Sequence, residues 1–210
     1  MVRIEHVLDH TEGRFVLISR ARGFTLAEML VGLAIVAMLL MMGVPAFTTF
    51  IQNSKLRATA ESLTAGLQLA RAEAVKRNGR VELVLTNDDP VAAGVSSVTP
   101  STTGINWVVR YYDPTTLFYD FVEGKAGTSG SGAFGSTAVV VTSTDATIPF
   151  DGFGAMSLGT SVTVQVTNPT GGSCASAGGP MRCLNIVVTP GGQAKMCDPA
   201  VTAAGDTRKC

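Results

Sequence analysis

From Met29 the chain carries no formal charge until Lys55, and Met29 to Phe47 is built mainly of Leu, Met, Ala, Ile and Val. A helix needs roughly 20 apolar residues to cross a bilayer core, and this run is long enough to do so. A single carboxylate, Glu28, stands at its N-terminal edge. A charge at membrane depth is costly, so an acid there is by default a functional group with a partner to be named. The plainer reading leaves Glu28 solvated among the headgroups.

The residues before the run decide between these. Gly23-Phe24-Thr25-Leu26-Ala27-Glu28, followed by an apolar helix, resembles the processing site of type IV prepilins and type II secretion pseudopilins. The resemblance implies cleavage between Gly23 and Phe24 by a prepilin peptidase, then N-methylation of Phe24. It also implies that Glu28 pairs with the terminal amine of a neighbouring subunit. An amine and a carboxylate that meet only between subunits relieve each other's desolvation only in the assembled state, so the pair sets register as well as affinity.

Residues 1–23 read as the leader, with Arg20 and Arg22 directly before the apolar run. Positive charge on that flank keeps it cytoplasmic and sends the C-terminal part across the inner membrane. An ordinary signal peptide is cut after its apolar segment at small residues, and Pro45-Ala46-Phe47 fits that poorly. The apolar segment is therefore expected to stay in the mature protein. Both histidines, His6 and His10, lie in the leader, so the mature chain would have none. This argues against an enzyme, since histidine is the commonest general base and metal ligand. No catalytic residue, metal site or cofactor is expected. A membrane-anchored periplasmic enzyme is the alternative that this composition disfavours.

Helix is expected from near Phe24 to Asn78-Gly79, about 55 residues and roughly 80 Å at the usual rise. Pro45, with Gly43 before it, should kink the helix. Residues 24–47 form the transmembrane and assembly half, and 48–79 the amphipathic half. In the latter Leu56, Ala60, Leu63, Leu67, Ala70 and Ala74 step by four and three along one face. Glu73 and Arg77 stand at the favourable i,i+4 spacing.

From Arg80 the period changes to two, and low charge with abundant Gly, Ser, Thr and Val points to a β-rich domain over 80–210. Strands are expected from Val81 to Leu85, Ile105 to Tyr112, Leu117 to Val122, Ala138 to Thr142, Thr147 to Phe150, Val162 to Thr167, Leu184 to Thr189 and Gln193 to Cys197. Val91 to Gly104 and the Gly/Ser-rich Gly124 to Thr137 read as loops. The fold class is α+β and pilin-like: a long kinked N-terminal helix packed on an antiparallel β-sheet domain.

Four cysteines, Cys174, Cys183, Cys197 and Cys210, fall in the last fifth of the chain on the side expected to be exported, where disulfides form. Three pairings are open. Cys174–Cys183 and Cys197–Cys210 are favoured because each closes a short loop. Zinc is disfavoured, because there is no CxxC spacing and no assisting histidine.

Leu67 to Asn78, with its Ala70-Arg71-Ala72-Glu73-Ala74 core and following basic residues, resembles the pseudopilin H and FimT/FimU minor-pilin group. Met196-Cys197-Asp198-Pro199 and the final Arg208-Lys209-Cys210 look like FimT-type endings. In some of those a Gly-Arg-x-Arg segment is implicated in DNA binding during transformation. The matching positions here are Gly192, Gln193, Ala194 and Lys195, so one arginine is glutamine and the other lysine. The forked donor that grips phosphate is lost. Lys195, Arg208 and Lys209, with Arg182, remain a candidate patch for weak DNA contact, partly offset by Asp198 and Asp206.

Trp107, Tyr111 and Tyr112 on one strand read as packing ahead of a base-stacking platform. Phe150-Asp151-Gly152-Phe153-Gly154 reads as a turn, since no phosphate-binding helix follows it. Asp113, Asp120 and Glu123 offer no paired-carboxylate geometry. The function implied is that of a minor pilin-like structural subunit of a type IV pilus or type II secretion filament. Its expected partners are other pilins or pseudopilins, the prepilin peptidase and the inner membrane before assembly. A DNA-uptake receptor on the same filament is the alternative.

Overall fold

The structure, a computed structural model, describes residues 23–127 and 139–210, and within the helix it describes no side chains at 42–46. Residues 1–22 of the expected leader therefore lie outside the described residues, as do most of the Gly/Ser-rich loop and the side chains at the expected kink at Gly43 and Pro45. The chain divides into two compact units at Pro45 and Ala46, each taken by itself below.

Helix α1 spans Leu26–Arg77. In the first unit its apolar side chains from Met29 to Met41 are exposed on every side. The second unit holds the rest of α1 and all of the strands. Here the helix buries Leu56, Ala60, Leu63, Leu67, Ala70 and Ala74, the stripe set by its 3.6-residue period. Gly66 lies on the same side. A Cβ there would meet Leu83 at 3.0 Å and the Trp107 ring at 3.1 Å, so glycine lets the sheet come close.

The helix stops at Asn78, whose φ is 46°. Gly79 N donates to Ala74 O at 3.1 Å and Asn78 N to Val75 O at 3.2 Å, the two reversed bonds of a Schellman ending. Glu73 accepts from Arg77 at 2.9 Å and from Lys76 at 2.8 Å on the last turn.

Eight strands follow: β1 Val81–Thr86, β2 Asn106–Tyr112, β3 Tyr119–Lys125, β4 Val140–Ser143, β5 Thr147–Phe150, β6 Val162–Thr167, β7 Leu184–Val188 and β8 Ala194–Cys197. They form two antiparallel sheets, β3-β2-β1-β5 and β4-β6-β7-β8. The sheet domain expected from the sequence is therefore split in two. One core joins the helix stripe to both sheets, through Val81, Leu83, Trp107, Val109, Ile148 and Phe150 from the first and Val162, Val164, Val166, Ile186 and Val188 from the second.

β3 begins two residues later than expected and reaches into the Gly/Ser-rich stretch. Asp113 holds the preceding turn closed: its carboxylate accepts from Thr115 N at 2.8 Å and from Thr116 Oγ1 at 3.0 Å. Leu117 is thereby left in the turn with φ 62°.

The Val91 to Gly104 stretch is less loop-like than its composition implies. Val95 and Val98 pack with Val84 and Val108 on the face of the first sheet that turns away from α1. β1 is consequently buried on both faces. Asp88 pins this cover by accepting from Thr99 N at 2.7 Å, a bond that holds its carboxyl below the usual range.

Candidate assembly site and C-terminal surface

Gly23, Phe24 and Thr25 precede the first turn of α1, and Phe24 is 82% exposed. Thr25 and Glu28 then close on each other. Thr25 N and Thr25 Oγ1 both donate to Glu28 Oε2 at 2.9 Å, and Glu28 N donates to Thr25 Oγ1 at 3.2 Å. This is a capping box, in which two otherwise orphaned amides of the helix start are satisfied reciprocally. The Thr-x-x-Glu spacing that signals it was legible, but reading Glu28 only as a membrane-depth charge passes over it. Glu28 therefore has a local role in the isolated chain, and its carboxylate retains lone pairs for a further donor.

Among the described residues no helix is long and apolar enough to cross a membrane. The described side chains of the apolar run stop at Met41. Residues 42–46, which lengthen the run in the sequence, lie outside that description.

At the other end of the chain the structure joins Cys174 to Cys183 and Cys197 to Cys210, with Cα atoms 5.4 and 5.0 Å apart. The second bridge ties the last residue to the end of β8. Asp198 N donates to Arg208 O at 2.7 Å and reinforces the tie.

The candidate cations are arranged unevenly. Lys195 donates through Nζ to the Lys209 carbonyl at 3.0 Å, so Lys195 and Lys209 meet. Arg208 instead grips Asp206, with NH2 2.8 Å and Nε 3.2 Å from the two carboxylate oxygens. That contact draws the Asp206 carboxyl down to about 2. Gln193 is exposed beside Gly192, whose φ is 76° and whose missing Cβ makes room for the Gly154 carbonyl.

Trp107 is buried, and its Nε1 donates to Ser62 Oγ at 3.2 Å, so it is part of the helix–sheet core. Tyr111 lies under Arg77, whose guanidinium carbon is 4.8 Å from the ring centroid. Tyr112 meets Tyr119 edge to face. These aromatics pack and present no stacking platform. Among the described residues no group of three or more His, Cys, Asp or Glu is placed to hold a metal ion.

The profile of the family described as Type II transport protein GspH matches residues 59–192, more than half of the chain. That of the Prokaryotic N-terminal methylation motif matches residues 18–44. No curated protein sequence matches. Among solved structures the chain is similar to the type IV minor pilin FimU of Pseudomonas aeruginosa, at 15% identity over 70% of this chain and 91% of that one, with a TM-score of 0.49. It is also similar to the minor pseudopilin EpsH from the Type 2 Secretion System of Vibrio cholerae, at 8% identity over 70% and 99%, with a TM-score of 0.45. The assignment rests on the two profiles: the chain belongs to the GspH family and is a minor pilin-like structural subunit of a type IV pilus or type II secretion filament.

Proposed function

We propose that the chain is made as an inner-membrane precursor, cut between Gly23 and Phe24 by a prepilin peptidase and methylated on Phe24. It is held by a single pass through its apolar helix, with the β-rich unit on the periplasmic side. It then leaves the membrane for the filament, where Glu28 pairs with the terminal amine of a neighbouring subunit. It performs no chemistry of its own.

One observation carries this reading. The methylation-motif match over 18–44 brackets a helix start at which Gly23 and Phe24 stand exposed, directly ahead of an apolar run whose described side chains, to Met41, are exposed. An exposed peptide bond before a capped helix suits a peptidase, and an apolar surface on every side suits lipid or a bundle of like helices.

The test is the intact mass of the membrane-extracted chain from cells with an active prepilin peptidase. It should match a chain that begins at methylated Phe24. A chain still beginning at Met1 in those cells would overturn the reading. Gly23→Val should leave the precursor uncut.

A further inference from the structure

The second unit contains a groove of about 470 Å³, apart from the assembly site at Glu28. One wall is a face of α1, with Phe50 and Arg57 one helical repeat of seven apart. The other wall comes from the start of β7, the end of β8 and the stapled tail, and carries Arg182, Leu184, Met196 and Arg208. Asn53 holds the walls together. Its Oδ1 accepts from Arg182 N at 2.7 Å, and its Nδ2 donates to Pro180 O at 3.3 Å.

The groove thus has an apolar lining and three guanidinium groups, set against one lining carboxylate, Asp198. Two of its three guanidinium groups are partly engaged, Arg57 with Glu61 and Arg208 with Asp206, each at 2.8 Å. Among the described residues the Arg182 guanidinium has no partner. Phe50 is 68% exposed, although it faces a ready-made apolar wall.

We propose that this groove binds the phosphate of an anionic phospholipid headgroup before the subunit leaves the membrane. The proposal rests on the membrane-held precursor argued above. Charge complementarity favours an anion: three arginines outnumber the one lining carboxylate, Asp198, and Arg182 offers an open fork of donors matched to phosphate oxygens. Apolar walls beside an anion site suit an amphiphile more than a free ion. Position along the chain selects lipid. About 20 residues from Met29 complete a crossing near Thr48, and the polar layer adds roughly 5–8 Å on that side. Phe50 to Arg57 are the next two turns of the same helix, about 10 Å of rise. Phe50 is then an interfacial aromatic, and Arg57 reaches the phosphates.

The test uses the full membrane-extracted chain in non-ionic detergent with labelled methionine methyl groups. Dioctanoylphosphatidylglycerol is titrated in, and the Met196 methyl signal is read. Met181, fully buried in the core, serves as the fold reference. The expected result is a saturable shift of Met196 with Met181 unmoved. Arg182→Gln should weaken the apparent affinity about fivefold, the effect of one basic residue at a membrane surface. Lys125→Gln, on β3 of the other sheet, should change nothing.

Four outcomes would overturn the proposal. An equal shift with dioctanoylphosphatidylcholine means an apolar groove only. Equal affinity for inorganic phosphate means a free-anion site. Saturation by a glutamate-rich peptide at lower concentration means a docking surface for an acidic protein. An affinity unchanged by Arg182→Gln means that the guanidinium does not hold the phosphate. Alkaline carbonate extraction of whole membranes separates this proposal from the one beneath it. Release of the chain refutes the membrane-held precursor. Retention with a silent Met196 refutes the groove alone.

Discussion

Arg110 lies against Glu82 on the face of the first sheet that turns away from α1, with Nε 2.7 Å and NH2 2.6 Å from one carboxylate oxygen. The two residues are direct antiparallel partners on β1 and β2, and both are buried. Arg110 also donates to the Val95 carbonyl at 3.0 Å and stacks 3.8 Å from the Tyr119 ring centroid. A single guanidinium thus neutralises a buried acid, fastens the covering loop and packs on β3.

Removing one member of such a pair strands the other. Arg110→Met should destabilise the second unit by about 3–5 kcal/mol, because Glu82 keeps only Arg80 at the solvent edge. Glu82→Leu combined with Arg110→Met should be much less damaging, since no uncompensated charge remains. Urea unfolding of the two variants checks the order. A single variant no worse than the double would show that the pair does not hold the sheet. Amide exchange at Val95 and Val98 should rise in the single variant, because the loop loses its anchor.

The stapled tail yields a second prediction. Cys210→Ser opens a loop that spans 13 positions, and the lost constraint should cost about 2–4 kcal/mol or somewhat less. The tail forms part of the groove wall, so the Met196 methyl should broaden while the Met181 signal stays sharp. Non-reducing peptide mapping of the wild-type chain should recover Cys174–Cys183 and Cys197–Cys210. A Cys183–Cys197 peptide would refute the pairing.

What the sequence made legible depended on how local the signal was. The buried stripe from Leu56 to Ala74 could be read because a helix repeats its face every few residues. The strand cores were legible for the same reason at period two. The division into two sheets was not, because it turns on β1 pairing with β5 across a long stretch of chain, and no local pattern encodes that. Glu82 alternates with Val81 and Leu83 and so reads as a solvent-facing residue. It is buried only because Arg110 arrives opposite it from another strand. Val95 and Val98 sit among serines and threonines, where no periodicity marks them as cover for a second apolar face. At the candidate sites, Gly23, Phe24 and Glu28 are legible as a motif of fixed spacing, whereas the groove around Arg182 assembles from segments far apart in sequence.

The Asp206–Arg208 contact makes the third prediction one of pH. Asp206 is drawn from the ordinary value of 3.8 to about 2, first by the Arg208 side chain and then by its backbone amide. The folded value is depressed, so the contact contributes fully above about 3.8 and is lost as pH falls through about 2. Carboxyl titration by NMR should place Asp206 well below its ordinary value of 3.8. Arg208→Gln should return it towards the ordinary range.

The same contact bears on DNA. With Arg208 engaged, Lys195, Lys209 and the neighbouring Arg182 are the patch cations left, so duplex binding should be weak, with a log–log salt slope of about −3. Gln193→Arg should strengthen it, because it restores a forked donor beside Lys195. Asp206→Asn should strengthen it too, by freeing Arg208. A gel shift on the full chain in detergent reads all three. If neither substitution raises a shift at low salt, the tail has no nucleic-acid role.

The last prediction separates the two roles that the structure leaves to Glu28. As the acidic member of the capping box it stabilises the first turn of α1. As the proposed partner of a neighbour's terminal amine it acts only in the filament. Thr25→Ala removes the cap and keeps the charge, at a cost of about 1 kcal/mol in the helix start. Glu28→Gln keeps most of the local hydrogen bonding and removes the charge. If the charge is what recruits the next subunit, Glu28→Gln should still be cleaved and inserted but should be depleted from sheared filaments. Thr25→Ala should be incorporated nearly as well as the wild type. Membrane insertion of Glu28→Gln should be undiminished, since a costly charge has gone. Quantifying each variant in membrane and sheared fractions decides the matter. Equal depletion of both variants would show that filament entry needs the cap as well as the charge. Wild-type incorporation of Glu28→Gln would remove the pairing role altogether.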